Sequence, residues 1–100
     1  MLIYNVTVGV DKAIEAEWLS WMKTEHIPRV MGTGMFVENK MYKVLTHDDE
    51  ASVSYAIQYR ATNLDSVQRY LEDFAPALRA EVQEKFGSRQ AAYRTLLEEV

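Results

Sequence analysis

One hundred residues with 11 Lys and Arg against 15 Asp and Glu give a net charge of −4 and a length suited to a single domain, residues 1–100. The scattered cations argue against a nucleic-acid partner, the absence of cysteine excludes a disulfide scaffold, and 48% hydrophobic residues exclude a disordered chain. No apolar run approaches the ~18 residues of a membrane span, and Met1-Leu2-Ile3-Tyr4-Asn5 lacks a basic signal-peptide region, so a cytoplasmic protein with no membrane partner is expected.

Leu2, Tyr4, Val6, Val8 and Val10 alternate with residues such as Asn5 and Thr7, the period of a strand with two unlike faces. Asp11 can cap the helix that follows, and Pro28, which lacks a backbone donor, is expected to stop it near His26 or Ile27. A short extra turn, Pro28-Arg29-Val30-Met31, then precedes a loop released by Gly32 and Gly34. Phe36 to Thr46 reads as a strand of mixed faces, and His47-Asp48-Asp49-Glu50 as a solvated hairpin turn rather than a cation site. In the next strand Val53, Tyr55, Ile57 and Tyr59 alternate with Ser54, Ala56, Gln58 and Arg60. Thr62 with Asp65 resembles a capping box at the head of the helical stripe Leu64, Val67, Leu71, Phe74, Leu78, Val82 and Phe86, which Gly87 ends. Pro76 either kinks this helix or sits in the first turn of a second one. From Ala91 to Val100 the chain returns to extended character.

The order β-α-β-β-α-β is the ferredoxin-like plan, an α+β fold with a four-stranded antiparallel sheet and two helices. Right-handed crossovers place both helices on one face. The other face, carrying Ile3, Ala56 and Met41 or Tyr42, is then a larger apolar patch than a monomer tolerates. A homodimer joined through the open sheet faces, a dimeric α+β barrel, is therefore expected. Each subunit keeps a cleft between helices and sheet for a small-molecule ligand.

On a helix turning about 100° per residue, Ile14, Trp18, Trp21 and Met22 share a face, and Glu25 falls near its middle, pointing a carboxylate at the core. His26 lies at the edge of that stripe near the helix C-terminus, where a positive imidazolium is favoured. Under two indoles, Glu25 and His26 are the candidate catalytic acid-base pair, since burial raises a carboxyl pKa and nearby charge tunes an imidazole. The structural alternative pairs Glu25 with Arg29, Arg79 or a backbone donor and leaves His26 as a helix-end residue. Trp18, Trp21, Tyr55, Asn5 and Gln58 are the candidate ligand-binding residues, with Asn5 or Gln58 holding an oxyanion, and Tyr59 and Tyr70 can place further hydroxyls in the same space. Each has an alternative as core or as a buried hydrogen-bond partner.

Two histidines, no cysteine and no metal-ligand spacing lead to the expectation of no metal and no cofactor. Gly32-Thr33-Gly34 follows a helix, the reverse of a phosphate loop, and no Gly-x-Ser-x-Gly elbow occurs.

The segment Trp18-Leu19-Ser20-Trp21-Met22-Lys23-Thr24-Glu25-His26-Ile27-Pro28 resembles a small bacterial family catalogued as domain of unknown function 4286. Supporting stretches are Ile3-Tyr4-Asn5-Val6-Thr7-Val8, Thr33-Gly34-Met35-Phe36, Tyr55 with Gln58-Tyr59, Ala75-Pro76 with Leu78-Arg79, and Phe86-Gly87, so the resemblance runs the whole length. It implies a cytoplasmic bacterial protein with a fold similar to the dimeric α+β barrels, among them cofactor-independent oxygenases, haem-degrading enzymes, lactone isomerases and stress-response proteins. One fold hosts many functions, and the family has no assigned reaction. The leading expectation is a homodimer with a small-molecule pocket, an oxygenase- or isomerase-type enzyme working without a cofactor, with Glu25 or His26 as base. The competing expectation is a non-catalytic interaction or regulatory module whose Glu-His segment is purely structural.

Overall fold

The alternation along Leu2–Asp11 (β1) and Ser52–Ala61 (β3) sets these strands side by side in the middle of one antiparallel sheet. Its order is β2-β3-β1-β4, with Glu38–Val44 as β2 and Gln90–Glu98 as β4. The computed structural model describes residues 1–46 and 49–100. Tyr4 faces Tyr59, Val6 faces Ile57 and Val8 faces Tyr55, so one period-2 face of both central strands is apolar throughout. The helices pack on that face, closing a core in which Val10, Trp18, Val30 and Ala61 are fully buried.

Between β1 and β2 the chain passes through a 3-10 turn (Lys12–Ile14), α1 (Glu15–Trp21), a π turn (Met22–His26) and α2 (Ile27–Gly32) without leaving helical geometry. Pro28 therefore does not stop the first helix, contrary to the expectation from its missing donor. The reason lies one turn earlier. The Ile27 N–H donates to the Met22 carbonyl, five residues back, and this widened turn admits the proline into the first turn of α2.

Phe36 does not open β2 as expected but drops into the core ahead of it. Its ring stacks on Tyr4 at 5.9 Å and meets Tyr59 and Tyr70 at 5.2 and 4.9 Å, a cluster of the geometry aromatic side chains favour. Of the expected polar turn, His47 and Asp48 lie outside the described residues. Asp49 organises the entry to β3 by accepting from the backbone N–H groups of Ala51 and Ser52 at 2.8 and 2.7 Å. These same bonds hold its carboxyl below the usual carboxylate range.

Asn63, rather than Thr62, caps α3 (Leu64–Asp73), its side-chain oxygen accepting from the Ser66 N–H at 2.9 Å. Pro76 breaks the long stripe instead of bending it. Phe74 separates α3 from α4 (Ala75–Phe86), and the proline sits in the first turn of α4, where a missing N–H costs nothing. Gly87, at φ 57, ends α4 as expected.

The reverse face of the sheet is bare. By register Ile3, Tyr42 and Ala56 lie on it with Tyr93 and Leu97, the last two 66% and 41% exposed. Met41 instead packs against the helix-side core, so of the two residues considered for the open face it is Tyr42 that lies there. Among the described residues no helix is long and apolar enough to cross a membrane.

Candidate functional site

Helices and sheet part along β4. Gln90, Ala92 and Arg94 pair with Val10, Val8 and Val6 and so share the helix-side face, but α4 and the π turn stand over them without closing the gap. The result is a cleft of about 460 Å³, within the range of small-molecule sites. Val6, Val8, Met22, Leu78 and Val82 give it apolar walls, and Tyr4, His26, Tyr70, Arg79, Gln90 and Arg94 bring polar groups to the same space.

The π turn decides which member of the Glu25-His26 pair enters. At about 100° per residue Glu25 would lie over the core, but a turn bonded five residues back rotates less at each step. Glu25 swings outward and His26 inward. The Glu25 side chain is 48% exposed and accepts from Arg29 at 3.2 Å, while Arg29 also pairs with Glu81 on α4. The expectation of a core-directed carboxylate is thus corrected, and the ion-pair alternative describes Glu25. An exposed pair contributes little, so Glu25→Gln is expected to change stability by less than about 1 kcal/mol in urea unfolding at pH 7. A loss of several kcal/mol would instead mark a buried, paired charge.

His26 stacks on Trp21 at 5.6 Å and 25°, an i, i+5 contact that the π turn creates. Its Nδ1 is the one buried side-chain nitrogen or oxygen without a hydrogen-bond partner among the described residues, leaving Nε2 as the nitrogen open to the surroundings. Burial lowers its pKa from 6.5 to about 4. The Glu81 carboxylate pulls the other way, and the Arg29 and Arg94 cations add to the depression. The ring is therefore neutral at physiological pH, not the imidazolium expected at a helix end.

Around it, the Tyr4 hydroxyl accepts from Arg79 Nη2 at 3.0 Å. Burial, then the nearby Tyr4, pushes the Tyr70 phenol up to about 12, so it remains a hydrogen-bond donor.

The other candidates are placed elsewhere. Trp18 is fully buried, meets the Tyr55 ring at a 39° tilt and 5.1 Å and donates from Nε1 to Gln90 Oε1 at 3.3 Å, one layer behind the cleft wall. The Tyr55 hydroxyl donates to Glu15 at 2.5 Å, and burial together with that carboxylate raises its pKa to about 12. Trp21 backs the His26 ring and meets Phe86 edge-on at 5.5 Å. Asn5 and Gln58 face each other on the open side of the sheet, away from the cleft. There Asn5 donates to Thr7 at 3.0 Å, and Gln58 lines a shallow hollow of about 60 Å³ with Ile3, Tyr42 and Arg60. Period-2 phase alone puts both amides on the face opposite Tyr4 and Tyr59.

Of the seven candidates, only His26 thus lines the cleft. Tyr70, a further hydroxyl expected in that space, also lines it, whereas Tyr4, Arg79, Gln90 and Arg94 were missed. A signal existed for Arg94, which falls in phase with Ala92 and Leu96, an arginine on the strand face turned toward the helices. Among the described residues no group of His, Cys, Asp or Glu side chains is arranged to hold a metal ion.

The sequence pattern of a known family matches residues 1–100, the whole chain. The chain belongs to the domain of unknown function (DUF4286) family. No curated protein sequence matches this DUF4286 protein. Solved structures share its fold. An ethyl tert-butyl ether degradation (EthD) family protein from Bacillus halodurans is 12% identical, each chain covering 100% of the other, with a TM-score of 0.69. A protein described as an antibiotic biosynthesis monooxygenase from Deinococcus radiodurans is 12% identical over 100% of this chain and 93% of that one, with a TM-score of 0.68. The N63A mutant of SnoaB, a cofactor-independent oxygenase from Streptomyces nogalater, is 14% identical over 98% and 92%, with a TM-score of 0.63. At these identities the likeness is one of fold, and it confirms the ferredoxin-like arrangement of this DUF4286 protein.

Proposed function

We propose that this DUF4286 protein is a cytoplasmic, single-domain homodimer whose helix-sheet cleft binds a small organic molecule and moves a proton on it, in the manner of a cofactor-independent isomerase or oxygenase. The observation that carries this reading is His26: a neutral, unpartnered imidazole on the wall of a cleft that also holds two guanidinium groups. Nε2 accepts a proton from an acidic C–H or O–H of the ligand, and the negative charge left on ligand oxygen faces Arg79 and Arg94. An anion beside Arg94 also offsets the cation that depresses His26, so charge development strengthens the base. Returning the proton to a different carbon completes an isomerisation with no other reactant. In an oxygenase the same anion gives its electrons to dioxygen one at a time, the resulting radicals join in a C–O bond, and the proton held on His26 passes to the peroxide oxygen; SnoaB is named a cofactor-independent oxygenase.

Pairing through the bare sheet face is supported by the exposed Tyr42, Tyr93 and Leu97 lying on it. Sedimentation equilibrium at micromolar concentration is expected to return twice the 11.6 kDa chain mass, and the single-chain mass would overturn the pairing.

The chemistry is tested by incubating the protein in D2O with a panel of enolisable ketones, β-keto acids and hydroxylated aromatics and following loss of C–H signals by proton NMR. Exchange is expected on at least one class, falling by about 100-fold or more in His26→Gln, as loss of a general base does. Exchange that survives in His26→Gln would remove His26 as the base, and no exchange across the panel would return the protein to the class of non-catalytic binding modules.

A further inference from the structure

Charge is unevenly spent in this molecule. The chain carries a net −4, and Arg29, Arg60 and Arg69 each pair with at least one carboxylate. Arg79 and Arg94 do not. Arg79 spends one bond on the neutral Tyr4 hydroxyl, and Arg94 has no hydrogen bond or ion pair among the described residues. Both line the cleft, which has no Asp or Glu among its described lining residues. The nearest carboxylate that acts on His26, Glu81, is already paired with Arg29.

We propose that the cleft is built for an organic monoanion, an aromatic carboxylic acid, whose carboxylate is received by Arg79 and Arg94 and whose ring system lies against Val6, Val8, Met22 and Val82. The assignment rests on the cleft being the ligand site and names what enters it. Two guanidinium groups without a carboxylate partner, one from α4 and one from β4, line the same cleft and supply charge-assisted donors to a carboxylate lying between helix and sheet. Tyr70, kept protonated, adds a donor, and the neutral His26 adds no competing charge. The apolar remainder favours a ring over a hydrated inorganic anion, and about 460 Å³ admits a fused ring pair. A neutral isostere would leave both guanidinium groups facing the ligand without a counter-charge.

Isothermal titration with 2-naphthoate and its neutral isostere 2-naphthamide separates the two levels of the reading. Naphthoate is expected to bind at least about tenfold more tightly, a gap of roughly 1.4 kcal/mol. The preference should collapse in Arg79→Met and in Arg94→Met and persist in Arg69→Met. Ala80→Trp, which fills the cleft from an exposed position on α4, should abolish binding of both probes. Arg94→Met removes no hydrogen bond or ion pair among the described residues, so it decides the matter even if loss of the Tyr4 bond unfolds Arg79→Met. Equal binding of the two probes, both lost in Ala80→Trp, would refute the anion assignment and leave the cleft standing. A naphthoate preference that survives both arginine substitutions, or displacement of naphthoate by equimolar inorganic phosphate, would also refute it. Failure of both probes to bind would remove the cleft reading itself.

Discussion

Replacing Trp18 by alanine is expected to cost about 3 to 5 kcal/mol of stability, the range for deleting a buried aromatic from a packed core. The indole has no exposed surface, packs at a tilt against Tyr55 and donates its N–H to Gln90, so truncation opens a cavity and leaves an amide acceptor unfilled at once. A domain of this size has about 5 to 15 kcal/mol to lose, so the variant should sit near the edge of folding. Its melting temperature should drop by at least about 12 °C, at about 4 °C or more per kcal/mol. Trp18→Phe, which keeps most of the volume, should lose much less. Because Gln90 is part of the cleft wall, the alanine variant should also weaken ligand binding from one layer behind the site. Urea unfolding of the two variants at pH 7 checks this, and a loss below about 1 kcal/mol for Trp18→Ala would show that the indole is not the core element described.

The second large effect is a pH dependence centred on His26. Its pKa is about 4 in the folded protein and 6.5 as the unperturbed value, so above pH 6.5 the ring is neutral in both states and its contribution is fully present. As pH falls from 6.5 to 4, the unfolded chain takes up a proton that the folded one refuses. Folding stability declines through this window, by an amount on the order of 3 kcal/mol, and levels off below it. The groups that set the folded value are the desolvating core around the ring, the Glu81 carboxylate, and the Arg29 and Arg94 cations. His26→Phe keeps an aromatic ring against Trp21 and removes the titration, so its stability should be flatter between pH 6.5 and 5 than that of the parent. Carboxylates that titrate lower are common to both proteins and cancel in the comparison. Parallel stability curves would contradict the burial of this imidazole.

The sheet and its register were legible because period-2 alternation in Leu2–Asp11 and Ser52–Ala61 has a single consistent solution. The bare face followed from the chirality of the crossovers. The site was legible only in outline. His26 was singled out together with Glu25 by a helical wheel that assumes a uniform step, and a single π turn, invisible to such a wheel, exchanged their roles. The same turn explains why Pro28 did not end the helix. Asn5 and Gln58 illustrate a different gap. Their residue types suit oxyanion binding, but their phase on the strands assigns them to the open face, and phase outranks type. Arg79 and Arg94 come from α4 and β4, and nothing local in either segment announces that they line one cleft. That juxtaposition exists only once β4 pairs with β1 and α4 folds back over them.

Proton transfer and anion binding in the cleft both depend on the state of one imidazole near Arg94. Following the His26 ring-proton signal by NMR from pH 8 to pH 3, assigned by its absence in His26→Gln, should give a midpoint near 4, rising when 2-naphthoate fills the cleft. A midpoint near the unperturbed 6.5, unmoved by ligand, would mean that the ring is solvated and remote from the arginines. The base and the cationic cleft would then both be lost.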